Sequence, residues 1–251
     1  MKIDILTLFP SMFEGPFDTS MLKKAKDGGL VEINIHNLRD WATDKHKTVD
    51  DRPCGGGKGM VIRVDVVDRA LQELKTPSFL KASAGKAKLP IRKSSTSNGA
   101  SKIKSTTHNL KPITVLLSPQ GKVFNQAKAR ELVKLDRIIL IAGHYEGFDE
   151  RIAENLVDEE ISIGDYVLTG GEIPAMVVTD TIVRLIPGVL EKPEATSVES
   201  FSEEGVIEYP QYTRPEEYKG WKVPDILLSG NHKEIEAWRK KNSPISPAPE
   251  K

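Results

Sequence analysis

RIILIAGHYEG, residues 137–147, runs from an unbroken apolar stretch straight into a glycine-bounded loop. A strand with one wet face would alternate apolar and polar residues, so an uninterrupted run marks a strand covered on both faces. ITVLLSPQG at 113–121 has the same form, an apolar strand ending in a glycine turn. IDILTLF at 3–9 and LVEINIH at 30–36 read as two further strands, and EEISIGDYVLTGG at 159–171 again carries an apolar stretch into a glycine loop.

Helical periods lie between these runs. MLKKAKDGG (21–29) predicts a short helix closed by Gly28 and Gly29, and DVVDRALQELK (65–75) a helix with Asp65 as its N-cap. NQAKARELVKL (125–135) predicts a helix capped by Asn125, DERIAENL (149–156) a short one, and EIPAMVVTDTIVRLI (172–186) one stopped by Pro187 and Gly188. Strands that alternate with helices predict an α/β domain with a mainly parallel sheet. NLRDWATDKHKTVDDRPCGGGKG (37–59) has no apolar period and reads as a long functional loop. Residues 191–208 read as a linker, followed by a mixed segment with one helix from His232 to Lys241 and a Pro-rich end.

The 251 residues are 38% hydrophobic and 29% charged, enough for one large domain or for one domain plus a small appendage. One cysteine, Cys54, excludes an internal disulfide framework and fits a reducing compartment. With no apolar run of spanning length and no signal-peptide pattern, the expected location is the cytoplasm, away from membranes. A formal net charge of zero argues against a uniformly basic nucleic-acid binder. The zero hides an asymmetry, because Lys75 to Pro112 carries nine Lys/Arg and no acid, leaving 27 basic against 36 acidic residues elsewhere. The insertion 76–112, rich in Lys, Ser, Thr and Gly, is expected to be disordered, either a solvated insertion or an RNA-contacting arm.

Ligands of parallel sheets bind outside the carboxyl ends of the strands. The loops SPQG, AGHYEG and IGDYVLTGG are therefore expected to meet at one pocket, although each alone also reads as an ordinary turn. None has GxGxxG, and CGGGKGM lacks the Ser/Thr that follows a P-loop lysine, so a phosphate-held nucleotide is unsupported. The five histidines are scattered and none pairs with Cys54 at a ligand spacing, so no metal site is expected. Arg184, four residues after Asp180, reads plainly as half of an ion pair on a helix, and Glu199 as a solvated linker carboxylate. HKTVDDRP is more polar than a passive loop requires. Pattern alone stops at an α/β enzyme with a glycine-lined ligand pocket.

Taken together and in order, LFP (8–10), HKTVDDRPCGGGKGM (46–60), LLSPQG (116–121), GHYEGFDERI (143–152), SIGDYVLTGGEIPAM (162–176), RLIPGVL (184–190), YPQYTRP (209–215) and LLSGNH (227–232) are specific. They resemble the bacterial tRNA (guanine-N1)-methyltransferases of the SPOUT class, across nearly the whole chain except 76–112 and the C-terminal end. The resemblance implies a knotted α/β domain at 1–190 whose mainly parallel sheet contains a deep trefoil knot. It further implies a linker at 191–208 and a small, mostly helical C-terminal domain at 209–251 that grips tRNA. No spacing argument predicts the knot. It implies a homodimer with the active site between subunits, and methyl transfer from S-adenosylmethionine to N1 of guanosine 37 of a tRNA with guanosine at 36 and 37. A requirement for Mg²⁺ is left open.

The same resemblance assigns residues. Leu117, Ser118, Pro119, Gly143, Tyr145, Ile163, Gly164, Asp165, Tyr166, Val167, Leu168, Gly170, Gly171 and Pro174 would hold the methyl donor. Guanine N1 carries a proton and is a poor nucleophile until that proton leaves and charge builds toward O6, which calls for a base near N1 and a cation near O6. Glu199 matches the base, Arg184 the O6 donor and Glu146 a carboxylate that contacts the guanine. Asp50 and Arg52 would contact guanosine, and Lys58 a phosphate.

Two departures stand out. Glu199 occupies the position where the family has an aspartate before Ser-Phe, and the sequence ends at SPISPAPEK, short of further family helices, so the tRNA-binding domain is expected to be reduced. A non-catalytic RNA-binding relative is the competing reading, and a methyltransferase for another RNA site a third. Arg184, Glu146, HKTVDDRP and the intact donor loops weigh against both.

Overall fold

The apolar run at 138–142 lies in the middle strand of a five-stranded sheet. In the computed structural model, residues 1–76, 112–192, 196, 199–203 and 205–245 are described. Apart from its two ends the basic insertion lies outside them, as does part of 191–208. The chain divides into two units, Met1–Val189 and Leu190–Lys251.

In the first unit, β1 (Lys2–Thr7), β2 (Glu32–Asn37), β5 (Ile113–Val123), β6 (Arg137–Ala142) and β7 (Glu159–Ser162) form one parallel sheet in the order β2-β1-β6-β5-β7. Ile138 to Ala142 are all buried, as expected of a strand with both faces covered. Alternate residues divide the core. Ile3, Ile5, Leu140 and Val115 pack with Leu22 and Ala25 of α1 (Ser20–Asp27), Leu132 of α3 (Gln126–Leu132), and Val178 and Ile182 of α5 (Glu172–Val183). Leu6, Leu116, Ile139 and Ile141 pack with Val66, Val67 and Ala70 of α2 (Val64–Lys75) and Ile152 of α4 (Glu150–Asn155).

Three local expectations are corrected. Asp65 does not cap α2; Arg63 is the N-cap residue, and the Asp65 carboxylate instead accepts from Arg63 Nε at 3.0 Å and pairs with Arg69 at 3.0 Å. Two guanidiniums are stronger partners for it than a backbone N–H. The segment 37–59 is not wholly without structure. It holds a 3-10 turn at Leu38–Trp41, and β3 (Asp50–Asp51) pairs antiparallel with β4 (Val61–Ile62). Strand β5 does not end at SPQG. Leu117 and Lys122 both pair with Ile161, so residues 118–121 loop out and the strand resumes to Val123. Asn125 does cap its helix, accepting from Lys128 N–H at 2.9 Å.

Asp4 of β1 is buried among polar partners. It accepts from His36 Nε2 at 2.9 Å, Arg137 Nε at 2.8 Å and Asn34 Nδ2 at 3.3 Å. Burial pushes its carboxyl up, but the bonds from His36 and Arg137 outweigh this and hold it below the ordinary value of 3.8. A carboxyl lower in the folded than in the unfolded chain gives stability that is complete above the unfolded value and is lost as pH falls through the folded one. Asp4→Asn, which strands the Arg137 guanidinium, is expected to cost about 3 kcal/mol at neutral pH. It should also flatten the fall in stability below the ordinary carboxylate value. Urea unfolding of both proteins across that range checks both effects.

The second unit contains a short hairpin of β8 (Glu217–Tyr218) with β9 (Trp221–Lys222), a single turn α6 (Asp225–Leu228), and α7 (His232–Lys241) capped by Asn231. Tyr212 packs edge-on against Trp238 of α7 at 6.3 Å, and Arg239 lies over Tyr209 at 4.9 Å. The described residues between 199 and 208 are tied in: Ser202 N–H donates to Glu199 O at 3.0 Å, Glu208 N–H to Ser200 Oγ at 3.0 Å, and Ile207 N–H to Pro244 O at 2.9 Å.

Candidate active site

Three loops leave the carboxyl ends of adjacent strands: 118–121 out of β5, 143–149 after β6 and 163–171 after β7. They wall one cavity of about 310 Å³. Pockets of this order upward take whole small molecules.

Glycine allows the loops to meet. Gly171 N–H donates to Gly143 O at 2.7 Å, and a Cβ at 171 would lie 2.7 Å from Gly143 N. Gly143 itself lies under the ring of Phe148, where any side chain would clash. Gly164, at φ +148, starts the outer wall; a Cβ there would lie 2.5 Å from the Tyr166 ring. The turn is held by Tyr166 O–H, which donates to Ile163 O at 3.2 Å, and by Ser162 Oγ, which accepts from Gly164 N–H at 3.2 Å. Tyr166, Val167 and Leu168 are exposed apolar side chains at the cavity, a surface suited to a flat ring.

The polar loop comes alongside through β4. Ile62 N–H donates to Gly147 O at 2.9 Å, Asp149 N–H to Ile62 O at 3.0 Å, and Glu146 N–H to Met60 O at 3.0 Å. The Glu146 side chain fills the space beside Gly59, which has φ +78 and no room for a Cβ. Glu146 therefore lies where the cavity and the 46–60 loop join.

Of the residues expected at the donor, Leu117, Ser118, Pro119, Gly143, Tyr145, Ile163, Gly164, Tyr166, Val167, Leu168, Gly170, Gly171 and Pro174 line the cavity, and so does Glu146. Asp165 is exposed and absent from the lining. Asp50, Arg52 and Lys58 are on or beside the β3–β4 segment and do not line it. Arg184 closes α5 as its C-cap residue, whereas the cavity is at the N-terminal end. Twelve helical residues separate the ends by roughly 18 Å. Glu199 belongs to the second unit.

His144, expected with Gly143, Tyr145 and Glu146 as one wall of the donor site, lines the cavity, and so do Phe148 and Gln120, which the sequence reading leaves out. That reading also leaves out Glu172, the first residue of α5, which is 1% exposed. In sequence an acid there looks like an ordinary first-turn glutamate, and nothing in the pattern signals its burial. Among the described residues no group of three His, Cys, Asp or Glu could hold a metal, and no helix is long and apolar enough to cross a membrane.

A parallel α/β sheet with a cavity walled by glycine-bearing loops at its carboxyl edge is a small-molecule-binding domain of the enzyme type. The family described as tRNA (guanine-1)-methyltransferase TrmD matches residues 1–246, and the chain belongs to this family. Relatives named tRNA (guanine-N(1)-)-methyltransferase agree with it closely. The one from Dictyoglomus turgidum is 50% identical over 243 residues, 97% of this chain and 85% of the relative. Those from Carboxydothermus hydrogenoformans and Bacillus pumilus are 48% and 49% identical, each over 97% of this chain and over 83% and 87% of their own lengths.

Proposed function

We infer that the chain transfers a methyl group to N1 of a guanine in tRNA. The observation that carries this is the junction of three loops, distant in sequence, around one cavity in a chain of this family. We assign the cavity to S-adenosylmethionine, which supplies the methyl group. Its volume, its wall from 117–120, 143–146 and 163–171 without Asp165, and the apolar faces of Tyr166, Val167 and Leu168 fit an adenosine held without a phosphate grip. The return of residues 170 and 171 to the end of β6, through Gly171 N–H to Gly143 O and the bridge of His144 with Gly170, supports a chain crossing of the trefoil-knot kind.

The target we propose is guanosine 37 of a tRNA with guanosine at 36. Glu199 takes the N1 proton, Arg184 donates to O6 as charge builds there, and Glu146 contacts the guanine. The freed N1 electron pair then forms the bond to the methyl carbon as the methyl–sulfur bond breaks, and sulfur leaves as a neutral thioether. Asp50 and Arg52 hold the guanosine, and Lys58 a phosphate. The reaction belongs with tRNA in the cytoplasm.

We place the active site between two copies. Helix α5 is mostly apolar, with Ala175, Val178, Ile182 and Val183 buried. In the single chain Ile173 and Val177 of this helix are nonetheless 46% and 40% exposed, and Met12 of the adjoining 3-10 turn Pro10–Phe13 is 40% exposed. The distance of Arg184 from the cavity of its own chain supports service to a second subunit's site. Val177→Asp is expected to yield a monomer by light scattering and to lose transfer at least a hundredfold; a variant that stays dimeric and active would remove this reading.

The test of function is transfer of labelled methyl from S-adenosylmethionine to tRNA bearing guanosine at 36 and 37, against the same tRNA with adenosine at 37. Label in the first alone is the expected result, and a parallel reaction in EDTA answers the Mg²⁺ requirement. Binding of both substrates without transfer would show a non-catalytic relative.

A further inference from the structure

The LFP motif and Glu172 take no part in the mechanism above, yet the fold joins them behind His144. Phe9 N–H donates to Thr7 Oγ1 at 3.0 Å, and Thr7 O–H donates to Glu172 Oε1 at 2.7 Å. The other carboxylate oxygen, Oε2, lies 3.8 Å from His144 Nδ1. The Phe9 ring packs against the His144 imidazole at 4.6 Å between centroids, and Tyr145 meets it edge-on at 5.4 Å. Gly170 completes the arrangement, because a Cβ there would come within 2.6 Å of His144 Nδ1 and would clash with Glu172 Oε2.

His144 Nδ1 is buried and has no hydrogen-bond partner. The group it faces is a buried carboxylate seated at a helix N-terminus, where negative charge is favoured. A bare ring nitrogen would set a lone pair against that carboxylate, whereas Nδ1–H turns the approach into an attraction. A closing movement of roughly 1 Å brings the pair to hydrogen-bond distance. The ring keeps a quarter of its surface exposed and lines the cavity, so the edge away from Nδ1 faces the ligand.

We propose that Glu172 is a positioning residue that holds the proton on His144 Nδ1, so that His144 Nε2 is presented to the cavity as acceptor for an ammonium or hydroxyl group of the methyl donor. Thr7 and the Phe9 backbone fix the carboxylate, and the Phe9 ring fixes the imidazole plane, which gives the LFP motif its task. The proposal rests on the assignment of the cavity to S-adenosylmethionine.

Glu172→Gln tests it sharply. The amide oxygen keeps the bond from Thr7, which turns the NH₂ toward Nδ1 and forces that nitrogen to accept. Long-range ¹H–¹⁵N NMR of histidine-labelled protein, with His144 assigned by His144→Gln, is expected to show Nδ1–H in the wild type and Nε2–H in Glu172→Gln. Calorimetric titration with S-adenosylmethionine should show affinity lower by about tenfold or more in a variant that still melts cooperatively. A wild type that binds the donor while Glu172→Gln keeps either the Nδ1–H tautomer or full affinity overturns the proposal alone. A wild type that does not bind S-adenosylmethionine overturns the donor-site reading, and the proposal with it. If Glu172→Gln does not fold, two results decide: an Nε2–H tautomer in the wild type, or unchanged donor affinity in His144→Gln, would each refute it.

Discussion

Glu199→Gln is expected to slow methyl transfer by about 10²–10⁴-fold while leaving S-adenosylmethionine affinity unchanged. The amide keeps the size of the carboxylate and its place in the turn but cannot take a proton. Guanine N1 holds its hydrogen until a base removes it, so without the carboxylate the attacking electron pair is not available. The hydrogen bonds from Ser202 N–H to Glu199 O and from Glu208 N–H to Ser200 Oγ do not involve the carboxylate and survive the change. Single-turnover transfer with saturating donor is the measurement, since it isolates the chemical step from product release. A Gln variant within threefold of wild type would remove Glu199 from the mechanism.

With Glu199 proposed as the base, where the resemblance expects an aspartate, the reach of the side chain is the point of interest. Aspartate and glutamate differ little in basicity, about 3.9 against 4.3, so the extra methylene matters through geometry. Val206 and Ile207 lie against the C-terminal segment through Ile207 N–H to Pro244 O and the bridge of Val206 with Ile245. A turn held this firmly can set a longer side chain at a different origin.

The sheet was legible because a doubly covered strand has no polar alternation, and Ile138–Ala142 has none. Convergence of the three loops was legible for a related reason: each follows such a strand, and parallel strands end on one side. The resumption of β5 beyond Gly121 was not, because Ser118, Pro119, Gln120 and Gly121 are ordinary turn residues and the pairing of Lys122 with Ile161 is made across the sheet. Asp65 misled in the same way, since an acid before an apolar period looks like a cap until Arg63 and Arg69 are seen to claim it. Glu172, and its pairing with His144, were not legible because burial depends on what Thr7, Phe9 and Gly170 bring from elsewhere in the chain. Arg184 shows the converse limit. Its role was read from resemblance, and only the length of α5 reveals that its own cavity is out of reach.

Gly121→Ala is expected to reduce donor affinity by more than tenfold while the protein remains folded. A Cβ at 121 would stand 2.5 Å from the Glu160 carbonyl carbon and from Ile161 C, and against Ile161 N. All three are backbone atoms of β7, so no side chain can turn aside, and the methyl must push β7 away from β5. Overpacking of this kind costs about 1–3 kcal/mol, below the usual 5–15 kcal/mol of a folded domain. The fold therefore survives, but the displacement does not stay local. Strand β7 ends at Ser162, and the next residues, 163–171, are the outer wall of the cavity. That wall returns to β6 through Gly171 N–H and Gly143 O, which fixes its far end. A segment pushed at one end and pinned at the other must change its curvature, and Tyr166, Val167 and Leu168 lie in between. Urea unfolding and calorimetric titration with S-adenosylmethionine together decide the matter, because a merely unstable variant would bind at full affinity through its folded fraction. Wild-type affinity in Gly121→Ala would show that the β5–β7 edge does not set the shape of the site.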